Sequence, residues 1–157
     1  MKKRIHTRGF TLIEILLVLG IIAILAGIVL VAINPSRQFK QARDSQRVSN
    51  VNAILNAVGQ NIADNRGVFT CDGSAFDIPL EPGAEMSSLG GAGTIDIRPC
   101  LVPLYLAQLP HDSLVSQPAN TDEYATGYTI SRNQETDRIT VSANSEIDPS
   151  TPISVTR

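Results

Sequence analysis

Gly9-Phe10-Thr11-Leu12-Ile13-Glu14 runs directly into Ile15 to Ile33, a stretch of nineteen residues without a single charge. Counted from Phe10, the segment is 24 residues long. As an α-helix it would measure about 36 Å, enough to cross a hydrocarbon core of about 30 Å with some tilt. One transmembrane helix is predicted. Glu14 is the anomaly inside it. A charged side chain at the bilayer centre costs about 2.5 to 3.5 kcal/mol on insertion scales, so an acid in such a segment points to function and calls for a cationic partner. Its place in the first turns lowers that cost, because the helix dipole favours negative charge there.

Ahead of Gly9, Met1-Lys2-Lys3-Arg4-Ile5-His6-Thr7-Arg8 holds four of the thirteen Lys and Arg residues and reads as a basic leader. An ordinary secretory signal is cleaved after its apolar region, at small residues in an A-x-A-like pattern. Neither residues 23–27 nor residues 31–34 supply one. A lipoprotein signal would end on a cysteine, and Cys71 and Cys100 lie far downstream. Cleavage after Gly9 is the remaining possibility. It would keep the whole helix in the mature chain and leave the new α-amino group on Phe10.

Together, the basic leader, Gly9, Phe10-Thr11-Leu12-Ile13-Glu14 and the long apolar run resemble the class III signal of type IV pilins and of type II secretion pseudopilins. The resemblance covers roughly residues 8–33. It implies that a prepilin peptidase cuts between Gly9 and Phe10 and N-methylates Phe10, and that Glu14 is the acidic residue five places into the mature chain. In a polymer, the Phe10 ammonium of a neighbouring subunit would neutralise Glu14, since opposite charges attract far more strongly at low dielectric than in water. The implied fold is α+β: a long N-terminal helix, with a membrane-spanning half and an amphipathic half, packed on a small antiparallel sheet. The implied function is that of a structural subunit of a type IV pilus-type filament, or else a pseudopilin of a secretion or competence system. Its partners would be further copies or related subunits, the peptidase, an assembly platform and, before assembly, membrane lipid. The expected location is the inner membrane, spanned once, with the head extracytoplasmic. A different class of reading keeps the leader uncut and makes the chain a single-pass membrane-anchored binding domain.

The expected segments are a leader at residues 1–9, a transmembrane and polymerisation helix at 10–33, an amphipathic half at 34–66 and a globular head at 67–157. Gly20, Ala23 and Gly27 share one face of the first helix, where small residues let helices approach closely in lipid; glycine is also common in membrane helices without such a role. Asn34-Pro35 removes a backbone donor just past the apolar run, so a bend or break is expected there. Arg37, Lys40, Arg43 and Arg47 then form a basic stripe, open to lipid headgroups, to pairing with Asp44, to acidic surfaces of neighbouring subunits or to solvent. Without residues 1–9, nine basic residues face fifteen acidic ones. A chain of that balance is not built for nonspecific nucleic-acid binding.

Val51, Leu55, Val58 and Ile62 recur at helical spacing and predict a helix with one buried stripe, ending near Asp64-Asn65-Arg66-Gly67. A long stretch rich in Gly and Pro, Val68 to Leu101, reads as turns and loop. Cys71 and Cys100 bracket it. Outside the cytoplasm a disulfide between them would close a loop of about thirty residues, worth about 3 to 4 kcal/mol by chain entropy; two free thiols are the alternative. Tyr128 to Arg132 and Arg138 to Ser142 alternate around Gln134 to Asp137 and predict an antiparallel hairpin, with Ile153 and Val155 as an edge strand. Tyr128, Ile130, Ile139 and Val141 should face the helix stripe. His111-Asp112-Ser113 does not make a catalytic triad by adjacency, so no active site is assigned. Asp137, Glu146 and Asp148 lack the spacing of a calcium loop, so no metal site is assigned either, and no cofactor is expected.

Overall fold

The computed structural model describes residues 9–32, 34–115 and 123–157, which leaves the basic residues of the leader and Ile33 outside the described residues. It divides into two units, Met1–Phe39 and Lys40–Arg157. Helix α1 spans Leu12–Ala32 and helix α2 spans Pro35–Asp64. Between them Asn34 is non-helical and serves as a cap: its carbonyl accepts the Gln38 N–H and its side-chain oxygen the Arg37 N–H, each at 3.3 Å. Pro35 sits where a helix begins, a position whose N–H has no helical partner in any case.

At the far end of α2 the chain turns out of the helix through Arg66, at φ 59°. The Gly67 N–H then reaches back to the Ile62 carbonyl at 2.8 Å. That six-to-one bond is the signature of a Schellman stop. The left-handed residue is Arg66, with Gly67 following it at φ 92°.

Where the sequence reads as loop between Val68 and Leu101, the chain in fact forms short elements. These are β1 (Thr70–Cys71), β2 (Ser74–Ala75), β3 (Ala84–Ser87), β4 (Thr94–Ile95) and the single turn α3 (Arg98–Leu101). Strands of two to four residues are too short to show alternation, which is why periodicity missed them. Beyond them come β5 (Ala125–Arg132), β6 (Ile139–Ala143) and β7 (Ile153–Thr156). β1 and β2 form a separate hairpin, and the main sheet has the order β4-β3-β5-β6-β7. It is antiparallel except for the pairing of β3 with β4, which is parallel, so the expected antiparallel sheet is a mixed one. The β5–β6 hairpin pairs Arg132 with Ile139 and Tyr128 with Ala143, and β7 lies at the edge against β6.

The stripe of α2 is buried on this sheet. Val51, Ile54, Leu55 and Val58 join Met86, Leu101, Tyr128, Ile130 and Val141 in one core, with Ile62 packed at its margin. Ile139 belongs to it as well. The result is the α+β arrangement of a pilin fold, with an apolar N-terminal helix, a second helix and a mixed sheet.

Three polar residues on the same stripe of α2 were not anticipated as core: Asp44, Arg47 and Asn61 are all buried. Arg47 donates from Nε to Asp112 Oδ2 at 2.6 Å and from Nη1 to Asp44 Oδ1 at 2.7 Å, and its Nη2 lies 3.0 Å from Glu146 Oε1. Arg43 grips the same Glu146 through two bonds of 2.7 Å. Asp44 in turn accepts the backbone N–H groups of Glu146 and Ile147 and the hydroxyl of Ser145. Burial opposes ionisation of Asp44, yet these donors outweigh it and hold its pKa down to about 2. Asn61 fills its own amide: it donates to the carbonyls of Thr70 and Cys100 and accepts the Thr70 N–H.

Gly127 explains how Asp112 reaches Arg47. β5 carries an irregularity opposite β3, and Gly127 there has φ 74°. A Cβ at that position would lie 2.7 Å from Val115 Cγ2 and 3.2 Å from Asp112 Cβ. The missing side chain lets the segment at Asp112 lie against the strand, where its N–H bonds the Thr126 carbonyl at 2.8 Å.

Removing Arg47 leaves carboxylates buried without their cation, which costs about 3 to 5 kcal/mol. Arg47→Ala should therefore lower the unfolding free energy of the head by that order, while Arg37→Ala at an exposed position stays within about 0.5 kcal/mol. Urea titration followed by circular dichroism separates the two.

Because the folded pKa of Asp44 is depressed from its ordinary 3.8, its contribution is present above that value and lost as pH falls toward 2. Head stability should hold down to about pH 4 and decline steeply below it, with a shallower decline in Asp44→Asn. Thermal melts across that window read both slopes.

Candidate functional site

The start of α1 is built as a reciprocal cap. Thr11 is the residue before the helix and Glu14 its third residue. Glu14 Oε2 accepts the Thr11 N–H and the Thr11 hydroxyl, both at 2.8 Å, and the Glu14 N–H donates to Thr11 Oγ1 at 3.3 Å. This is a capping box, in which side chains at the two ends of the first turn satisfy each other's orphan N–H groups. It accounts for Glu14 in a segment that otherwise excludes charge: the carboxylate is paired locally and sits at the positive end of the helix dipole. Both bonds from Thr11 fall on the same carboxylate oxygen.

Gly9 and Phe10 precede the helix in non-helical, exposed chain, with Phe10 84 % accessible. Gly20, Ala23 and Gly27 are exposed on α1, and a Cβ at either glycine would meet nothing within 4 Å in this chain. The whole segment Leu12–Leu30 is long and apolar enough to cross a membrane, and none of it is covered by other described residues.

Residues 4–30 match the prokaryotic N-terminal methylation motif. The chain thus carries the class III signal of type IV pilins and pseudopilins. No curated protein and no solved structure matches it. The motif belongs to structural rather than enzymatic proteins, and it implies processing by prepilin peptidase and polymerisation with other pilin subunits. An apolar helix at the N-terminus together with this motif fits a membrane-anchored pilin.

The remaining candidates are placed as follows. Cys71 and Cys100 are joined in a disulfide that ties β1 to α3. Asn61, by holding the carbonyls of Thr70 and Cys100, fastens that bridge to α2. In the His111-Asp112-Ser113 run, both oxygens of Asp112 go to Arg47, and one also takes the Leu114 N–H, so the carboxylate orients the arginine and not the histidine. Asp137 pairs with Arg132 at 3.0 Å, Glu146 with Arg43, and Asp148 with Ser150. These three acids serve separate local contacts.

Pairing with Asp44 was one of the options open to the basic stripe and Arg47 takes it, but the burial of both residues and the recruitment of Asp112 and Glu146 were not anticipated. The signal for the burial was available: Asp44 and Arg47 both fall on the period that continues Val51, Leu55 and Val58 toward the start of α2. Opposite charges on the buried face of a helix announce a buried ion pair.

Thr11→Val removes the hydroxyl half of the cap, a loss of about 1 kcal/mol. The Glu14 amide should then exchange its hydrogen about fivefold faster in detergent-solubilised protein, as read by NMR, while the amides at mid-helix keep their rates.

Replacing Cys71 and Cys100 by serine should lower head stability by about 3 to 4 kcal/mol without unfolding α2, because the bridge restrains mainly the segment it closes. Denaturant unfolding with and without the two substitutions measures this, and thiol labelling of the native protein should find no reactive cysteine.

Proposed function

We propose that this protein is a structural subunit of a type IV pilus-type filament. The observation that carries the reading is the methylation motif on an apolar helix left uncovered among the described residues. In this reading prepilin peptidase cuts after Gly9 and methylates Phe10. The subunit waits in the inner membrane with its head extracytoplasmic, and an assembly platform draws α1 out of lipid into a bundle of equivalent helices. Glu14 then receives the Phe10 ammonium of a neighbour, Gly20, Ala23 and Gly27 form the face of close helix approach, and the chain performs no catalysis of its own. A pseudopilin of a secretion or competence system uses the same subunit chemistry.

One observation favours the second class, a membrane-anchored domain that keeps its leader: the Thr11–Glu14 box satisfies Glu14 without any second subunit. Intact mass of the membrane-extracted protein distinguishes the two. The filament reading expects loss of residues 1–9 and gain of one methyl group; a full-length mass supports the anchored domain.

Gly9→Val should block processing, since a peptidase reading backbone at the scissile bond has little room for a branched side chain. Glu14→Val should be cleaved normally yet yield few or no filaments; it eases membrane insertion, so poor insertion cannot cause that defect. Mass spectrometry and sheared-filament recovery score the pair.

A chain beginning at Gln38 should be soluble and monomeric by light scattering, because the α2 stripe is already buried on the sheet while the apolar α1 is gone. A stable oligomer of that shortened chain would assign assembly to the head.

A further inference from the structure

The four cations that follow the span are divided by the structure into two pairs with different fates. Arg43 and Arg47 are consumed by Glu146, Asp44 and Asp112. Arg37 and Lys40 are exposed, and among the described residues neither side chain has a partner. They stand three residues apart on α2 and so share a face. Phe39 lies between them with 65 % of its surface open. Every residue from Asn34 to Ala42 is exposed, and no acidic residue occurs between Glu14 and Asp44.

Covalent linkage limits where these side chains can go. Arg37 lies five residues, and Lys40 eight residues, beyond the last residue of α1. The segment from Pro35 to Lys40 is helical and advances only about 7.5 Å, comparable to the headgroup layer of about 5 to 7 Å on each side of the hydrocarbon core. Long basic side chains reach several ångströms further to place their charge among phosphates, and a Phe ring at the same depth on another face of the helix suits the boundary between headgroups and acyl chains.

We propose that Arg37, Phe39 and Lys40 form a membrane-interface anchor that selects anionic phospholipid headgroups and holds the unassembled subunit at the bilayer surface. The proposal rests on α1 spanning the membrane. Lipid is the occupant because the tether from α1 keeps phosphates at high effective concentration around this face. Another copy of the chain must first be recruited to it. Extraction into a filament would then have to break these contacts, so the anchor sets a retention step before assembly.

The chain contains no tryptophan, so Phe39→Trp supplies a single fluorescent reporter. All three side chains are exposed, and their substitution leaves the packed head unaltered. The full chain carrying Phe39→Trp is reconstituted at high lipid-to-protein ratio into phosphatidylcholine vesicles containing phosphatidylglycerol, with bromine carried by one lipid or the other at equal mole fraction. Brominated phosphatidylglycerol should quench severalfold more strongly, on the scale of about fivefold per cation near an anionic surface. The preference should fall to one when Arg37→Gln and Lys40→Gln are added, and it should weaken in about 1 M salt, where exposed charges are screened. Equal quenching by both lipids, or a preference that survives the double substitution, would overturn the anchor. So would a tryptophan shielded from both lipids in proportion to protein density, which would make a second copy the occupant, or the same spectral change from inorganic phosphate with phosphatidylcholine alone. Failure of the chain to float with the vesicles would instead reject the spanning helix itself, and that outcome is scored before any quenching is read.

Discussion

A helix whose apolar side chains from Leu12 to Leu30 find no cover among the described residues imposes a condition that everything else must meet. Fully hiding a Leu, Ile or Val side chain from water is worth about 1.5 to 3 kcal/mol, and α1 carries more than a dozen of them. Among the described residues no contact supplies that cover, whereas lipid or other helices can. The one charge in the segment obeys the same condition in a different way. Glu14 sits where the backbone offers unpaired N–H groups, and Thr11 completes a closed set of hydrogen bonds around one of its oxygens. A carboxylate placed two turns later would have no such partners.

The head answers a different problem, which is how to hold α2 on a small sheet whose strands are mostly short. Apolar packing covers the middle of the helix at Val51, Ile54, Leu55 and Val58. Toward either end the contacts are polar and buried. Arg47 gathers Asp44, Asp112 and Glu146 from three parts of the chain, and Asn61 holds the two strands of backbone that carry the disulfide. Such groups add little net stability when complete and cost a great deal when one member is missing, so their effect is to make misplacement expensive. Gly127 belongs to this device, since a side chain there would push Asp112 off the strand.

The basic stripe shows why a charge pattern alone underdetermines function. Four cations at helical spacing look equivalent as letters. In three dimensions Arg43 and Arg47 are held by carboxylates, and Arg37 and Lys40 are exposed. The difference is decided by acids at positions 112 and 146, distant in sequence and brought together by the sheet.

From sequence alone the α1 span, the leader, the anomalous Glu14, the α2 stripe, the β5–β6 hairpin and the β7 edge were legible, because each is written in local periodicity or in a fixed spacing of a few residues. The capping box was also present in Thr11 and Glu14, three apart, although its bonds required coordinates. Tertiary structure alone decided the short strands β1 to β4, the parallel β3–β4 pair, the fate of Arg43 and Arg47, and the roles of Asp112, Asn61 and Gly127. Among the contacts these depend on, Asn61 reaches Cys100 across 39 positions of the chain and Arg43 reaches Glu146 across 103. A residue's neighbours along the sequence carry no record of which distant group will neutralise its charge, and only the closed fold brings the two within hydrogen-bonding distance.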